Sequence, residues 1–358
     1  MRIATLGNAS VVHTTRWVEH FRARGHEVRL FSLEPPPSGF PDVVRLPSVG
    51  LPGVLRYPLA APRLARELAA FAPDLVDAHY VPNYGVLAAL VGRQPLSIAA
   101  WGSDLLLAAR ASAGQRMRAR FALSRARLVL CDAENLARAA REAGADPGVV
   151  RALPWGVDRA RFRPNDARTP GLLASVRMHE DVYDLPTVIE AAAVVLAARP
   201  HAMLVVAGDG SRRAEMERLA TERLPAGRWL FTGRLEPQDM ADLLCRADVV
   251  VSASRSDSTS QSLLETMACG ALPVVSDLEG NREWVSEGEG ARLFAPGDAA
   301  GCAAAIVRAL DDPEWAAQAR ARNAAVIESR GDWHRNLARI EDWFERLVAG
   351  RPLEGGAA

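Results

Sequence analysis

Two kinds of apolar spacing alternate along this chain of 358 residues. Short runs dense in β-branched and aromatic residues, RIATLG, HEVRLFS, DLVDAHY, LSIAAWG and RLVLCDA, are separated by Arg- and Ala-rich stretches such as residues 60–71 and 116–127. The first kind predicts buried strands and the second amphipathic helices, and their alternation implies a parallel sheet with helical crossovers. After a connector from Pro154 to Pro164 the pattern restarts with GLLASVR, AMLVVAGDG, WLFTG, ADVVVSAS and ALPVVSD, each followed by a helical stretch. The pattern therefore predicts an α/β chain of two Rossmann-like domains in tandem, which also suits a length beyond what one core normally supports. Residues 332–349 place Leu337, Ile340, Phe344 and Leu347 at helical spacing, and the tail PLEGGAA is expected to fray.

Charge adds little about partners, because 43 basic and 43 acidic residues cancel and leave no electrostatic footprint for nucleic acid. The one basic cluster runs from Arg110 to Arg127 through Arg116, Arg118, Arg120 and Arg125. It reads as a solvated helix face or as a peripheral contact for anionic lipid heads or an acidic acceptor. Met1 leads straight into strand-like sequence and no long apolar run occurs, so a cytoplasmic location, with peripheral contact to the inner membrane face as an option, is the expectation. Cys131, Cys245, Cys269 and Cys302 are far apart with no CxxC, which predicts buried free thiols.

Every basic side chain is Arg; the chain has no Lys. A pyridoxal-phosphate Schiff base and a P-loop ATPase both need one, so both chemistries fall, and any bound phosphate must meet Arg instead. A dinucleotide fingerprint fails too, because Gly208 and Gly210 are followed by Arg213 where a third small residue belongs.

The segment VSASRSDSTSQSLLETMACGALPVV, residues 251–275, concentrates the chemistry. A buried strand leads into a Ser/Thr/Gln turn and then a helix expected to stop at Gly270, with Asp257 and Glu265 bracketing the turn. Free backbone N–H groups at such a helix start attract phosphate, and a carboxylate further along accepts from sugar or ribose hydroxyls.

This segment resembles the donor-site signature of the family-4 glycosyltransferases, retaining enzymes of the GT-B fold: two Glu separated by seven residues and followed by an MACG-like helix. Here the first acid is Asp257, the second is Glu265, and Ser258, Thr259, Ser260 and Gln261 replace the usual Gly-Phe-Gly-Leu. PWGVDRARFRPN is similar to the family's hinge, and residues 332–349 to its crossing helix. The resemblance implies an acceptor-side domain over residues 1–155, a nucleotide-sugar domain over 156–331, and a C-terminal helix with its tail over 332–358, with a cleft between the two domains. It also implies that Asp257 contacts the donor sugar, Glu265 the ribose, and the backbone between them, from Ser258 to Gln261, the diphosphate. Arg177 matches the family's phosphate-binding Arg, whereas the Lys a few residues later is absent, with Tyr183 or Asp184 near its place. Arg212 or Arg213 is a guess for a second cation. Gly7 and Gly208 fall where backbone approaches the donor, and Arg234 and Leu235 where the family lines the nucleotide pocket.

Acceptor candidates are the polar and aromatic residues after the first-half strands: Asn8, His13, Arg16 and Trp17, then His79, Tyr80, Asn83 and Tyr84, then Trp101 and Asp104. Trp101 stands where the family has a His near the reacting carbon, and Asp104 is a candidate for orienting an acceptor hydroxyl, or a helix cap. No Asp-x-Asp motif precedes a suitable loop, so neither metal nor cofactor is expected. The implied reaction moves a hexose or N-acetylhexosamine from a UDP- or GDP-sugar to a hydroxyl of a glycan, lipid-linked or natural-product acceptor. A nucleotide-sugar epimerase of the same fold and a non-catalytic nucleotide-sugar-binding subunit stay open as alternatives.

Overall fold

Seven strands follow one another in the first part of the chain: β1 (Arg2–Leu6), β2 (Glu27–Ser32), β3 (Val43–Arg45), β4 (Leu75–His79), β5 (Leu96–Ala99), β6 (Leu128–Cys131) and β7 (Val150–Ala152). They pair in parallel in the order β3-β2-β1-β4-β5-β6-β7. Six more follow: β8 (Leu172–Ser175), β9 (Met203–Ala207), β10 (Trp229–Gly233), β11 (Val249–Ser252), β12 (Leu272–Ser276) and β13 (Arg292–Phe294). Their order is β10-β9-β8-β11-β12-β13, again all parallel. This computed structural model describes residues 1–47, 55–92, 95–165 and 167–353. Of the tail expected to fray, residues 352–358, the carbonyl of Leu353 accepts from Arg151 Nη2 at 2.6 Å, and residues 354–358 lie outside the described residues.

The chain forms two units, one of Met1–Leu153 with Ala338–Ala358 and one of Pro154–Leu337. In each sheet the strand order reverses once, between β1 and β4 in the first and between β8 and β11 in the second. Such a reversal leaves a crevice beyond the carboxyl ends of the two strands, where open α/β sheets bind ligands. Each sheet thus has one such crevice position.

The second sheet shows how the sequence builds this. Along β11, Val249 and Val251 face one apolar layer with Ile189, Leu196 and Ile306, while Val250 faces the other with Leu244, Leu264 and Met267. β8 alternates likewise, Leu173 to the first layer and Leu172 and Ala174 to the second. Period-two side chains on a sheet covered on both faces give the continuous apolar runs seen in the sequence. Helix Gln261–Cys269 ends at Gly270, whose φ of +73° is the left-handed stop that glycine adopts without Cβ strain.

The helix expected over residues 60–71 begins earlier, at Arg56, and runs to Phe71 with Pro62 inside it. The one expected over 116–127 is shifted to Ala113–Leu123, where Ser112 accepts from Gln115 N–H and fixes the start. The final helix is Trp333–Val348. Its first turn is tied to the second unit, where Asn336 donates to the carbonyls of Pro154 and Arg330. Its remainder buries Ile340, Trp343 and Phe344 in the first unit, with Phe344 stacked on Phe21 and Glu341 accepting from Arg24 and paired with His26. Leu347, placed on the apolar face by its spacing, is only half-buried, and Trp343 takes that role. All four cysteines are buried free thiols.

Candidate active site

The reversal in the second sheet puts the loops after β8 and β11 side by side, and Arg177 and Asp257 lie on them. Nη2 of Arg177 donates to Asp257 Oδ2 at 2.6 Å, and Nη1 donates to Ser260 Oγ at 2.8 Å and Ser262 Oγ at 3.0 Å. The guanidinium lies over the ring of Tyr183, 4.3 Å from its centroid. Sequence reading sends Arg177 to a phosphate and Asp257 to a sugar; the structure closes the two into one ion pair. Burial pushes the Asp257 carboxyl above its ordinary value, against the opposing pull of Arg177 and of hydrogen bonds from Ser258 N–H and the Ser260 hydroxyl.

Ser260 sits at the N-cap of helix Gln261–Cys269, yet its hydroxyl makes no cap bond and faces Arg177 instead. The positive end of the helix is therefore not closed by its own cap side chain. One turn in, half-buried Glu265 accepts from Gln261 Nε2 at 3.3 Å, and the same amide reaches Gly156 O at 3.1 Å. The Ser258–Ser260 turn is buried and held from outside: Trp284 Nε1 donates to Thr259 Oγ1 at 3.2 Å, and a Cβ on Gly280 would stand 2.0 Å from Ser258 O. Gly280 thus lets the turn pack tightly against its neighbour, and the Thr259 hydroxyl ties it to Trp284.

The β8 and β9 loops are zipped together by backbone. His179 N–H donates to Asp209 O and Arg212 N–H to His179 O, and Gly208, at φ +130°, has room for no Cβ, which would fall 2.6 Å from Arg177 O. Gly208 therefore shapes the Arg177 loop. His179 is buried with its ring edge-on to Phe231, and burial lowers its pKa. Arg234 follows β10 and is exposed, while Leu235 packs on the sheet's second layer. Neither guess for a second cation stands apart: Arg212 pairs with Asp181 and Glu215, and Arg213 Nε with Glu217 at 2.8 Å. Sequence reasoning missed Ser262, Trp284 and Arg255; Arg255 reaches Asp184 at 2.8 Å and holds Val182 O through its backbone.

In the first unit the reversal brings Gly7, after β1, beside His79, at the end of β4; a Cβ on Gly7 would meet Thr14 Cγ2 at 2.8 Å and His79 Cβ at 3.5 Å. His79 Nε2 contacts Asp77 Oδ2 at 3.1 Å, and Trp17 Nε1 donates to the same oxygen at 3.0 Å. The His79 ring lies 5.2 Å from that of Trp17 and 5.4 Å from that of Trp101, on which His13 stacks at 5.6 Å. Tyr80 continues from His79 at φ +75°, a strained setting for a non-glycine residue, and opens a π-helical turn over Tyr80–Gly85. Burial raises the Tyr80 phenol. Half-buried Arg16 lies on the first helix, and Asn83 is half-buried within the turn. Asn8 makes a local turn, accepting from Ser10 N–H and Oγ.

Two acceptor candidates are corrected. Tyr84 is buried in the core, its hydroxyl accepting from Leu33 N–H and bonded to Glu34, so it holds a loop. Asp104 is fully buried and accepts from the N–H groups of Val81, Trp101 and Leu105, which makes it the organiser of the turns after β4 and β5. Burial pushes its carboxyl up to about 6.

The basic cluster also resolves into parts. Arg118 turns in to the carbonyl of Pro82, Arg125 covers the Phe121 ring, and Arg110 reaches Glu142 at 3.4 Å. Arg116 and Arg120 stay exposed beside Met117, at the rim of a cavity of about 440 Å³ floored by Leu105, Ala109 and Ala139. Among the described residues no helix is long and apolar enough to cross a membrane, and no group of three His, Cys, Asp or Glu side chains is placed to hold a metal ion.

Comparison with known proteins follows the same division. Residues 2–133 match the family described as Glycosyl transferase 4-like, and residues 157–326 match Glycosyl transferases group 1. A D-inositol 3-phosphate glycosyltransferase of Catenulispora acidiphila is 29% identical over 241 residues, 62% of this chain and 56% of that protein. A GDP-mannose-dependent phosphatidylinositol monomannoside mannosyltransferase of Corynebacterium glutamicum is 31% identical over 206 residues, 51% of this chain and 52% of that one. The matched stretch thus spans about half the length of these relatives. The structure of Anabaena HepE in complex with UDP-glucose superposes with a TM-score of 0.82 over 98% of this chain and all of that one, at 17% identity, a likeness of fold. With one family match on each half, two parallel sheets of this order and the acid-helix segment at the second switch point, the chain belongs to the family-4-type, group 1 glycosyltransferases of the GT-B fold.

Proposed function

We propose that this protein is a retaining glycosyltransferase that moves a hexose or N-acetylhexosamine from a UDP- or GDP-sugar to an acceptor hydroxyl. The observation that carries the reading is the Arg177 guanidinium held against two serine hydroxyls at the open start of helix Gln261–Cys269, at the switch point of the second sheet. A nucleotide diphosphate fits that combination of fixed cation, hydroxyls and helix N-terminus. Among the relatives, one acts with GDP-mannose and HepE was crystallised with UDP-glucose, and both donor types stay within the proposal.

In this reading the bond from the anomeric carbon to the leaving phosphate breaks, and the bonding pair leaves with the diphosphate. The acceptor oxygen forms the new bond on the same face and yields its proton to the departing phosphate oxygen. Arg177 and the helix amides meet the charge that develops on the leaving group, which is worth most in the transition state. Glu265 accepts from the ribose. In the first unit His13, Arg16, His79, Tyr80, Asn83 and Trp101 are the acceptor-side candidates; Asp104 and Tyr84 shape the loops that carry them.

The test begins with thermal shift against UDP, GDP, ADP, dTDP and their sugar conjugates, since a ligand at about a hundred times its Kd stabilises by about 2.7 kcal/mol. Glycoside formation with the selected donor across hydroxyl acceptors supports the proposal. Epimerised nucleotide sugar without glycoside, or tight binding without turnover, replaces it with the epimerase or the binding-subunit reading.

We also propose peripheral contact with anionic membrane through Arg116, Arg120 and Met117. Met117 is 71% exposed between the two arginines, an amphipathic pairing that suits a headgroup layer. Each Arg near an anionic surface contributes about 1 kcal/mol. Co-sedimentation with phosphatidylglycerol vesicles, lost in the Arg116→Glu/Arg120→Glu variant and absent with phosphatidylcholine alone, is the expected result; equal binding by the variant overturns it.

A further inference from the structure

The Arg177 guanidinium already has three partners within the protein. Its Nη1 serves two hydroxyls and its Nη2 serves Asp257, with the Arg177 and Asp257 side chains only 12% and 16% exposed. An incoming phosphate must share or take one of these positions. A serine hydroxyl can rotate, stop accepting from Arg177 and donate to the phosphate, so Ser260 and Ser262 can stay. An ionised carboxylate has no proton to give and carries the same sign as the phosphate. Asp257 is therefore the member of the cluster that the phosphate must displace.

We propose that Asp257 is a stand-in anion, which holds Arg177 in its binding position and competes with the donor phosphate for it. This rests on the reading of the cluster as the donor site, and it adds a role in tuning donor affinity to the sugar contact that the family pattern implies. The surroundings fit a built ion pair rather than a chance surface contact. Ser258 N–H and the Ser260 hydroxyl also serve the carboxylate, the Tyr183 ring covers the guanidinium, and the Arg177 carbonyl packs against Gly208, where a Cβ would stand 2.6 Å from it. Arg carries a large rotamer entropy when loose, and a held guanidinium meets its ligand with less ordering left to do. The resident carboxylate thus weakens phosphate binding and, in exchange, keeps the cation in place and ready. Once displaced, it remains beside the anomeric end of the donor, free to accept from a sugar hydroxyl.

The experiment compares wild type, Asp257→Asn and Asp257→Ser by calorimetry against UDP, GDP and ADP and against their glucose conjugates, with melting temperature as the check on folding. Both variants remove the charge, and the second keeps only a hydroxyl. The expected result is that the nucleoside diphosphate that binds wild type binds both variants about tenfold tighter, the order for removing one like charge beside a bound anion. The sugar conjugate gains less, because its contact to the carboxylate is lost. Unchanged or weaker diphosphate binding in both variants overturns the stand-in role, and a loss confined to the sugar conjugate leaves Asp257 a sugar ligand alone. Arg177→Ala separates the two levels: wild-type affinity for every nucleotide in that variant overturns the donor-site reading itself, whereas lost affinity there with no gain in the Asp257 variants overturns only the role given to Asp257.

Discussion

The two switch points of this molecule share a backbone plan and differ in their lining. In both sheets the order reverses beside the first strand of the unit, and in both a tightly packed glycine stands at a strand end, Gly7 and Gly208. Around Gly208 the lining is a guanidinium, a carboxylate and serine hydroxyls at a helix start. Around Gly7 it is rings: half-buried His13 and Trp101, with Trp17 and His79 buried behind them on Asp77. The first lining suits an anion of fixed shape. The second is aromatic. The fold supplies the place twice, and the side chains after two strands decide what each place handles.

The sharpest way to break this contrast is to remove one functional group from each lining. Arg177→Ala is expected to lower kcat by about 10²- to 10³-fold, some 3–4 kcal/mol of transition-state stabilisation, with a smaller change in donor KM. His79→Asn is expected to act about tenfold and mainly on acceptor KM. Steady-state kinetics with both substrates varied checks the pair. Equal losses in kcat and KM for Arg177→Ala would sink its assignment to the leaving group, and a His79 effect as large as that of Arg177 would erase the division of labour.

The two glycines sharpen the contrast at the level of backbone. Gly208→Ala places a Cβ 2.6 Å from the Arg177 carbonyl at φ +130°, so both the contact and the conformation are unfavourable. It is expected to cost about 3 kcal/mol or more. Gly7→Ala meets the Thr14 methyl at 2.8 Å, a side chain rather than backbone, and is expected to cost about 1–2 kcal/mol. Urea unfolding of both variants decides. Equal costs would mean that the β9 turn relaxes more readily than its geometry implies.

How much of this was legible beforehand follows from the range of each interaction. β11 and helix Gln261–Cys269 were readable because their signals are local: an unbroken apolar run, helix formers, and Gly270 as the stop. The three strands that left no readable pattern, β3, β7 and β13, are three-residue edge strands, too short for a period and defined by their neighbours. Arg177, Asp257 and Glu265 could be named from spacing, but that the first two pair could not, because they are 80 positions apart and meet only through the β8–β11 pairing. Trp284 and Arg255 had no signal at all, since neither touches its partner through local sequence. Asp104 shows the opposite error: a polar residue after a strand looks like a site residue until its three backbone donors are seen.

That carboxylate gives the pH-dependent effect and a test of whether the loops after β4 and β5 are held as described. Asp104 has a folded pKa of about 6 against an ordinary 3.8, because burial disfavours its charged form more than the three N–H groups favour it. Between these values the folded state binds the proton more tightly than the unfolded state, so the folded state is favoured at the acid end of this window. The contribution is lost as pH rises from about 4 through about 6, and at most about 3 kcal/mol is at stake. Unfolding free energy measured from pH 4 to pH 7 should therefore carry a downward component that Asp104→Asn removes. The second unit holds a raised carboxyl too, Asp257, so the Asp257→Asn variant provides the background in which the Asp104 component is read alone. A slope that survives in the double variant would place the titrating group elsewhere and would remove Asp104 as its source.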